Sequence, residues 1–198
     1  MSDPAEGDSA SRRALLRAAG ASVVGGAAVL LSACGGSHHD VATQTTTTTT
    51  SGPINDPADA AMLNHLLNLE HVGIAAYTAG IPLLTLAGRK DGQLFLNQEI
   101  AHAGELGGLV KQVGGVPSKG KESYDLGHPR NGDDVLRLLH GIERAQVSAY
   151  LHAIPRVSLG STRAALAAIL GNDAQHISVL RLMLGRRPIP SAIVTGRE

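Results

Sequence analysis

A carboxylate and an imidazole lie three residues apart in the segment LFLNQEIAHAGELGGLV, at Glu99 and His102. Residues at this spacing share one face of an α-helix. That face is apolar, because Leu96, Leu106 and Leu109 continue it at helical intervals. An ionised carboxylate on the buried face of a helix is costly unless it is paired or coordinated. The pair therefore indicates either a buried ion pair or a set of metal ligands.

The chain contains a second arrangement of the same kind, Asp173 and His176. Each acid-x-x-His pair follows a helical segment that carries a glutamate on its apolar face, Glu70 in the first half and Glu143 in the second. The glutamate precedes its acid by 29 residues in one half and by 30 in the other. Such agreement is much harder to obtain by chance than one motif.

Tyrosine and proline residues extend the correspondence between the two halves. Tyr77 and Tyr150 each follow their glutamate by seven residues, and Pro82 and Pro155 follow it by twelve. We interpret this pattern as an internal duplication of a helix pair. The tyrosines either pack in the core with a bonded hydroxyl or support the metal ligands and relay electrons.

The apolar stripes bring four carboxylates and two imidazoles into one bundle interior. The six residues are Glu70, Glu99, His102, Glu143, Asp173 and His176. Without partners these groups would repel one another, and each would lose several kcal/mol of solvation. Two divalent cations would resolve this conflict, because carboxylate and imidazole are suitable ligands. His140, one turn before Glu143, is a candidate for an additional ligand. The alternative is a metal-free bundle with buried salt bridges.

Helical periodicity predicts an all-α domain with four helices. The third begins at Asn131-Gly132-Asp133-Asp134, and a long polar stretch, residues 116–130, precedes it. The helices are predicted at about 57–80, 91–113, 131–155 and 161–185. Short joins within each pair and one long connection after the second helix are typical of one variant of the four-helix bundle.

The composition argues against a nucleic-acid partner. Formal net charge is zero at pH 7, aromatic residues make up 2% of the chain, and tryptophan is absent. The chain therefore has neither the excess of basic residues that attracts phosphates nor the aromatic side chains that stack on bases.

The N-terminal residues resemble a bacterial export signal. Segment 11–17, SRRALLR, resembles a twin-arginine motif, and 31–34, LSAC, resembles a lipobox that ends in Cys34. We therefore expect lipidation of Cys34, which would anchor the protein to the outer face of the cytoplasmic membrane; an uncleaved spanning helix is the alternative. The predicted divisions are a signal peptide (1–34), a disordered threonine-rich tether (35–56), the bundle (57–185) and a C-terminal tail (186–198).

Segment 57–185 resembles a ferritin-like domain, and in particular the exported ferritin-like proteins of bacteria, some of them termed desiccation-related. In that family one glutamate comes from each of two helices and an acid-x-x-His from each of the other two. The resemblance implies terminal ligands at Glu70 and Glu143, a bridging Glu99, and nitrogen ligands at His102 and His176. Asp173 departs from the pattern, where a glutamate is expected, and its shorter side chain puts the second bridge in doubt.

The resemblance implies a membrane-anchored protein with a dinuclear metal centre, iron in the first place and manganese as the alternative. Such a centre would oxidise Fe(II) or consume peroxide, with O₂ or peroxide as the small-molecule partner. Two rivals stay open: a metal-free helical module for envelope binding or stress protection, and a dimanganese catalase-like enzyme. The sequence decides neither the physiological substrate nor the oligomeric state, and a homodimer is one option.

Overall fold

A computed structural model describes residues 55–198, and in that range it confirms the all-α four-helix bundle. The helices are α1 (Pro57–Gly80), α2 (Leu86–Gln112), α3 (Gly132–Ala153) and α4 (Gly160–Met183), and one 3₁₀ turn (Ile81–Leu83) joins α1 to α2. No strand is present in residues 55–198.

Side-chain caps start three of the helices. Asp56 accepts hydrogen bonds from the amides of Ala58 and Asp59, and Pro57 takes the first position of α1. Thr85 caps α2 and Asn131 caps α3 in the same way. These bonds satisfy amides that have no partner inside the helix, so the caps fix where each helix begins.

The second helix begins earlier than the sequence predicted. It starts at Leu86 rather than near Asp91, because Thr85 caps it and Gly88 and Gly92 are accommodated inside it. A β-carbon on Gly92 would lie 3.0 Å from Cγ1 of Ile81, so this glycine permits the 3₁₀ turn to pack closely against the helix.

Contacts at the helix ends define the topology. The amide of Asp56 donates to the carbonyl of Val113, so α1 begins where α2 ends and the two helices are antiparallel. The amide of Ser158 donates to Asp59 at 2.9 Å, which places the α3–α4 turn at the same end. The long connection crosses the bundle along α1, where Asn64 bonds the backbone of Val116 and Ser118. This is the arrangement that one long connection after the second helix requires.

The buried side chains form two apolar layers with a polar layer between them. The first apolar layer lies around Leu63, Leu106 and Leu166, and the second lies around Phe95, Leu139 and Leu180. Each layer contains one of the two duplicated tyrosines. The apolar layers stabilise the bundle, and they position the polar residues of the middle layer.

The predicted signal and tether, including Cys34, lie outside the described residues. Among the helices of residues 55–198, none combines the length and the hydrophobicity that crossing a bilayer requires.

Candidate metal centre

The polar layer brings together all six residues that the sequence singled out as ligands. Every one is buried: the four acids have no measurable exposure, His176 is 1% exposed and His102 is 9% exposed. The four helices supply one glutamate from α1, one from α3, and an acid and a histidine from each of α2 and α4.

The six side chains form two overlapping groups. In each group one donor atom per residue lies within 4.8 Å of all the others. The first group contains Glu99, Glu143, Asp173 and His176, and the second contains Glu70, His102 and Asp173. Asp173 belongs to both groups, so its shorter side chain still reaches both positions.

Glu99 also lies between the two histidines. Its Oε1 is 3.7 Å from Nδ1 of His102 and 3.6 Å from Nδ1 of His176. His102 Nδ1 is 3.3 Å from Asp173 and 3.6 Å from Glu70, and His176 Nδ1 is 3.1 Å from Glu143. Both imidazoles therefore present Nδ1 to the carboxylates, as a pair of metal positions requires.

Several of these buried polar atoms have no hydrogen-bond partner. They are Oε1 of Glu99, Oε2 of Glu143, Nδ1 of His102 and both carboxylate oxygens of Asp173. Each such atom costs about 1–3 kcal/mol or more when it is left without a partner. Carboxylate and imidazole donors are those that iron, manganese and zinc accept. The residues present therefore fit two divalent cations.

The duplicated tyrosines connect the two halves of the centre. The hydroxyl of Tyr77 donates to Oε1 of Glu143 and that of Tyr150 donates to Oε1 of Glu70, each at 2.5 Å. Each tyrosine thus bonds the glutamate of the opposite half and leaves that glutamate's second oxygen for another partner. Both tyrosines are buried in the core with a hydrogen-bonded hydroxyl, which was the first of their two predicted roles. The carboxylates that accept these hydrogen bonds belong to two of the candidate ligands.

Gln146 is a buried member of the polar layer that the sequence analysis missed. Its amide nitrogen lies 2.6 Å from Oε2 of Glu99 and 3.3 Å from Oε2 of Glu70. The corresponding residue of the other half is Gly73, since each follows its glutamate by three residues. A β-carbon on Gly73 would lie 2.4 Å from Oε2 of Glu99. The duplication is therefore broken at this position, where there is room for one side chain.

His176 is held by partners on both sides. Its Nε2 lies 2.8 Å from Oε1 of Gln98, and Phe95 stacks on its ring with centroids 4.1 Å apart. An amide oxygen only accepts, so Nε2 donates to Gln98, and the lone pair of Nδ1 accepts from the protonated carboxyl of Glu143, whose pKa is raised by burial. Such an outer hydrogen bond is typical of metal-binding histidines because it fixes the tautomer.

Burial and mutual repulsion shift the pKa values of these groups. Burial raises the pKa of Glu70 to about 7 and, together with the neighbouring carboxylates, that of Asp173 to about 10. Burial lowers the pKa of His176 to about 4. Burial acts in the same direction on His102, but the neighbouring carboxylates of Glu70, Glu99 and Asp173 outweigh it and raise its pKa to about 10. The metal-free centre therefore holds protons that a cation would displace.

His140 lies away from the two groups of candidate ligands. It is buried, and its Nε2 has no hydrogen-bond partner. Burial and the positive charges of Arg144, Arg186 and Arg181 lower its pKa. Neither group of candidate ligands includes it, so its predicted role as an additional ligand has no support from its position.

The fold and the ligand arrangement agree with a family match. Residues 58–186 match a family described as "Ferritin-like domain". The chain belongs to this ferritin-like family. Among solved structures, the chain is similar to a conserved hypothetical protein from Mycobacterium tuberculosis, with 18% identity and a TM-score of 0.61. That similarity covers 64% of this chain and 96% of the other and concerns the fold alone. No curated protein matches the sequence.

Proposed function

We propose that this ferritin-like protein binds two metal ions, iron in the first place, and uses them to oxidise Fe(II) or to consume peroxide. The observation that carries the proposal is Asp173, a buried carboxylate that belongs to both ligand groups and has no hydrogen-bond partner for either oxygen. Nδ1 of His102 lies 3.3 Å from Oδ1 of Asp173 but makes no hydrogen bond to it, and Oδ2 also has none. A carboxylate shared by two metal ions would use both oxygens.

Bound redox-active ions would supply electron transfer to O₂ or peroxide, chemistry for which side chains alone are poorly suited. Oxidation of two Fe(II) ions would supply two electrons, which with two protons would convert O₂ to H₂O₂ or H₂O₂ to two waters. The chain's own groups orient the ligands. Tyr150 and Tyr77 hold the two terminal glutamates, Gln98 sets the tautomer of His176, and Gln146 holds one oxygen of Glu99.

We further propose that the protein acts at the outer face of the cytoplasmic membrane, anchored through a lipidated Cys34. This proposal is supported by the sequence of the signal, with its twin arginines and its single cysteine at the end of the lipobox. Membrane fractionation and mass spectrometry of the N-terminal peptide would test it. A Cys34→Ser variant that stays in the membrane fraction would contradict lipidation as the anchor.

Metal content of the full chain, purified without a histidine tag, tests the metal proposal. We expect close to two Fe or Mn per chain by mass spectrometry, and loss of both in a Glu99→Ala/His102→Ala variant, which removes one candidate ligand from each group. A Glu122→Ala/His65→Ala variant is the matched control, because both residues are exposed and lie outside the ligand groups.

The same preparation distinguishes the rival functions. Oxygen evolution from peroxide after loading with manganese, and not with iron, would favour a dimanganese catalase-like enzyme. Absence of metal after anaerobic reconstitution, with the double variant as stable as the wild type, would contradict the proposal and leave a metal-free helical module. Sedimentation of the loaded protein would show whether a homodimer forms.

A further inference from the structure

The duplication permits a direct comparison of the surroundings of the two histidines. His176 is 1% exposed and has Phe95 stacked on its ring, whereas the side chain of His102 is 11% exposed. Nδ1 of His176 lies within hydrogen-bond distance of Glu143 and its Nε2 bonds Gln98, whereas Nδ1 of His102 has no hydrogen-bond partner. The group around His176 has four members and the group around His102 has three. The two metal positions are therefore unequal.

A cleft between α2 and α4 opens beside His102. Its volume is about 400 Å³, and its lining residues are Ala101, His102, Glu105, Ala165, Ala168 and Ile169. His102 is the member of the two ligand groups that lines it. These two helices approach each other less closely than the other neighbouring pairs in the bundle. The cleft thus connects solvent with the three-member group.

The residues that precede the two acid-x-x-His motifs differ in size, and this difference explains why His102 borders an open cleft whereas His176 is covered. Each acid-x-x-His motif is preceded by a residue four places before its acid, which is Phe95 in α2 and Ile169 in α4. One place earlier stand Leu94 and Ala168, respectively. Phe95 therefore covers the ring of His176, whereas its counterpart Ile169 and the neighbouring Ala168 line the cleft at His102.

We propose that the position formed by Glu70, His102 and Asp173 exchanges its divalent cation through the α2–α4 cleft, while the position at His176 retains its cation. This inference rests on the proposed function and adds the route and the order of exchange. Glu105 is exposed on the cleft wall and attracts the hydrated cation before it reaches His102.

Binding kinetics of Co(II) to the metal-free full chain test the route without any measurement of activity. Stopped-flow absorption should resolve a fast and a slow phase in the wild type. Ala168→Leu introduces into the cleft the residue that stands at the corresponding position of α2, Leu94, and it should slow the fast phase about tenfold. The final stoichiometry should stay at two ions per chain. Ile169→Phe should act in the same direction.

The control variant is Ala145→Leu. Ala145 is also an exposed helical alanine, and it lines a cleft of about 450 Å³ that includes no candidate ligand. Its fast phase should equal that of the wild type. Glu105→Gln should slow the fast phase about threefold at low ionic strength, and added salt should remove the difference, because salt screens exposed charges.

Two outcomes separate this inference from the proposed function. If the wild type binds two ions and Ala168→Leu binds both at unchanged rates, the cleft is not the route and this inference is wrong. If His102→Ala loses both ions together, the two positions do not exchange independently, and the inference is again wrong. If the wild type binds no Co(II), the proposed function itself fails.

Discussion

Asp173→Asn should make the metal-free protein more stable and abolish its stabilisation by metal. Burial and the neighbouring Glu143, Glu70 and Glu99 raise the pKa of Asp173 from 3.8 to about 10. A pKa raised by folding means stability that is fully present below pH 3.8 and is lost as pH rises towards 10. Asparagine has nearly the same shape and carries no charge at any pH, so the variant avoids this loss.

The size of the effect follows from the shift. Between pH 3.8 and pH 7, which is roughly three pH units, the wild type loses about 1.4 kcal/mol of folding stability per unit. The total loss at pH 7 is therefore at most about 4 kcal/mol. The same repulsion is shared with Glu70 and Glu143, whose pKa values are also raised. We therefore expect the variant to gain about half of this upper limit, or about 2 kcal/mol in the free energy of unfolding. For a domain of this size, that gain corresponds to a rise of about 7 °C in Tm.

Thermal unfolding of the full chain, with and without metal, provides the assay. In EDTA at pH 7 the variant should melt above the wild type. Addition of Mn(II) or Co(II) at a hundredfold excess over Kd should stabilise the wild type by about 2.7 kcal/mol for each site filled, and the variant should gain much less. A metal-free variant that melts below the wild type would show that Asp173 makes a stabilising contact there. A wild type whose Tm is unaffected by metal would refute the ligand assignment.

Three further predictions test the polar layer. In EDTA the free energy of unfolding in urea titrations should fall as pH rises from about 6.5 to 9. Burial raises the pKa values of Glu70, Glu143 and Asp173, and nearby carboxylates raise that of His102 to about 10, so the folded state holds protons that the unfolded chain has lost. The lowered pKa of His176 acts in the opposite direction only below about 6.5; a flat profile would contradict these shifts. Gly73→Ala should lower the free energy of unfolding by about 1–3 kcal/mol through overpacking and should weaken metal binding in titrations. Its control is Gly104→Ala, which should be neutral or stabilising because a β-carbon there meets nothing within 4 Å. Equal effects of the two variants would argue against the close approach of Gly73 to Glu99. Tyr150→Phe should cost about 1–3 kcal/mol in chemical unfolding because Glu70 loses its buried hydrogen bond, and an unchanged stability would show that the bond contributes nothing.

The sequence predicted the four helices, and it predicted that six polar residues meet in the bundle interior, because both predictions depend on repeated spacing. Helical periodicity places Glu70 and Glu143 on apolar faces, and duplication repeats each placement in the other half. The structure confirms the bundle and its long connection. Periodicity is reliable here since each helix has more than twenty residues over which the pattern recurs.

Two features escaped the sequence analysis for physical reasons. Gln146 belongs to the polar layer, but its counterpart is Gly73, so a search for repeated residues passes over it. The first turn of α2 was missed because Gly88 and Gly92 weaken the helical pattern there, and the structure uses them for close packing. In both cases the deciding factor is the space between helices, which sequence spacing does not describe.

The unequal pair formed by Gly73 and Gln146 has a consequence for how such a bundle can be assembled. Two identical copies of a helix hairpin, associated as a symmetric dimer, would place the same residue at both positions. Two glutamines would collide, since even a β-carbon on Gly73 would lie 3.1 Å from the amide nitrogen of Gln146. Two glycines would leave Oε2 of Glu99 without its donor. When both hairpins belong to one chain, one position can carry glycine and the other glutamine. A covalently linked bundle can therefore place different residues where its two halves meet, whereas a dimer of identical hairpins cannot.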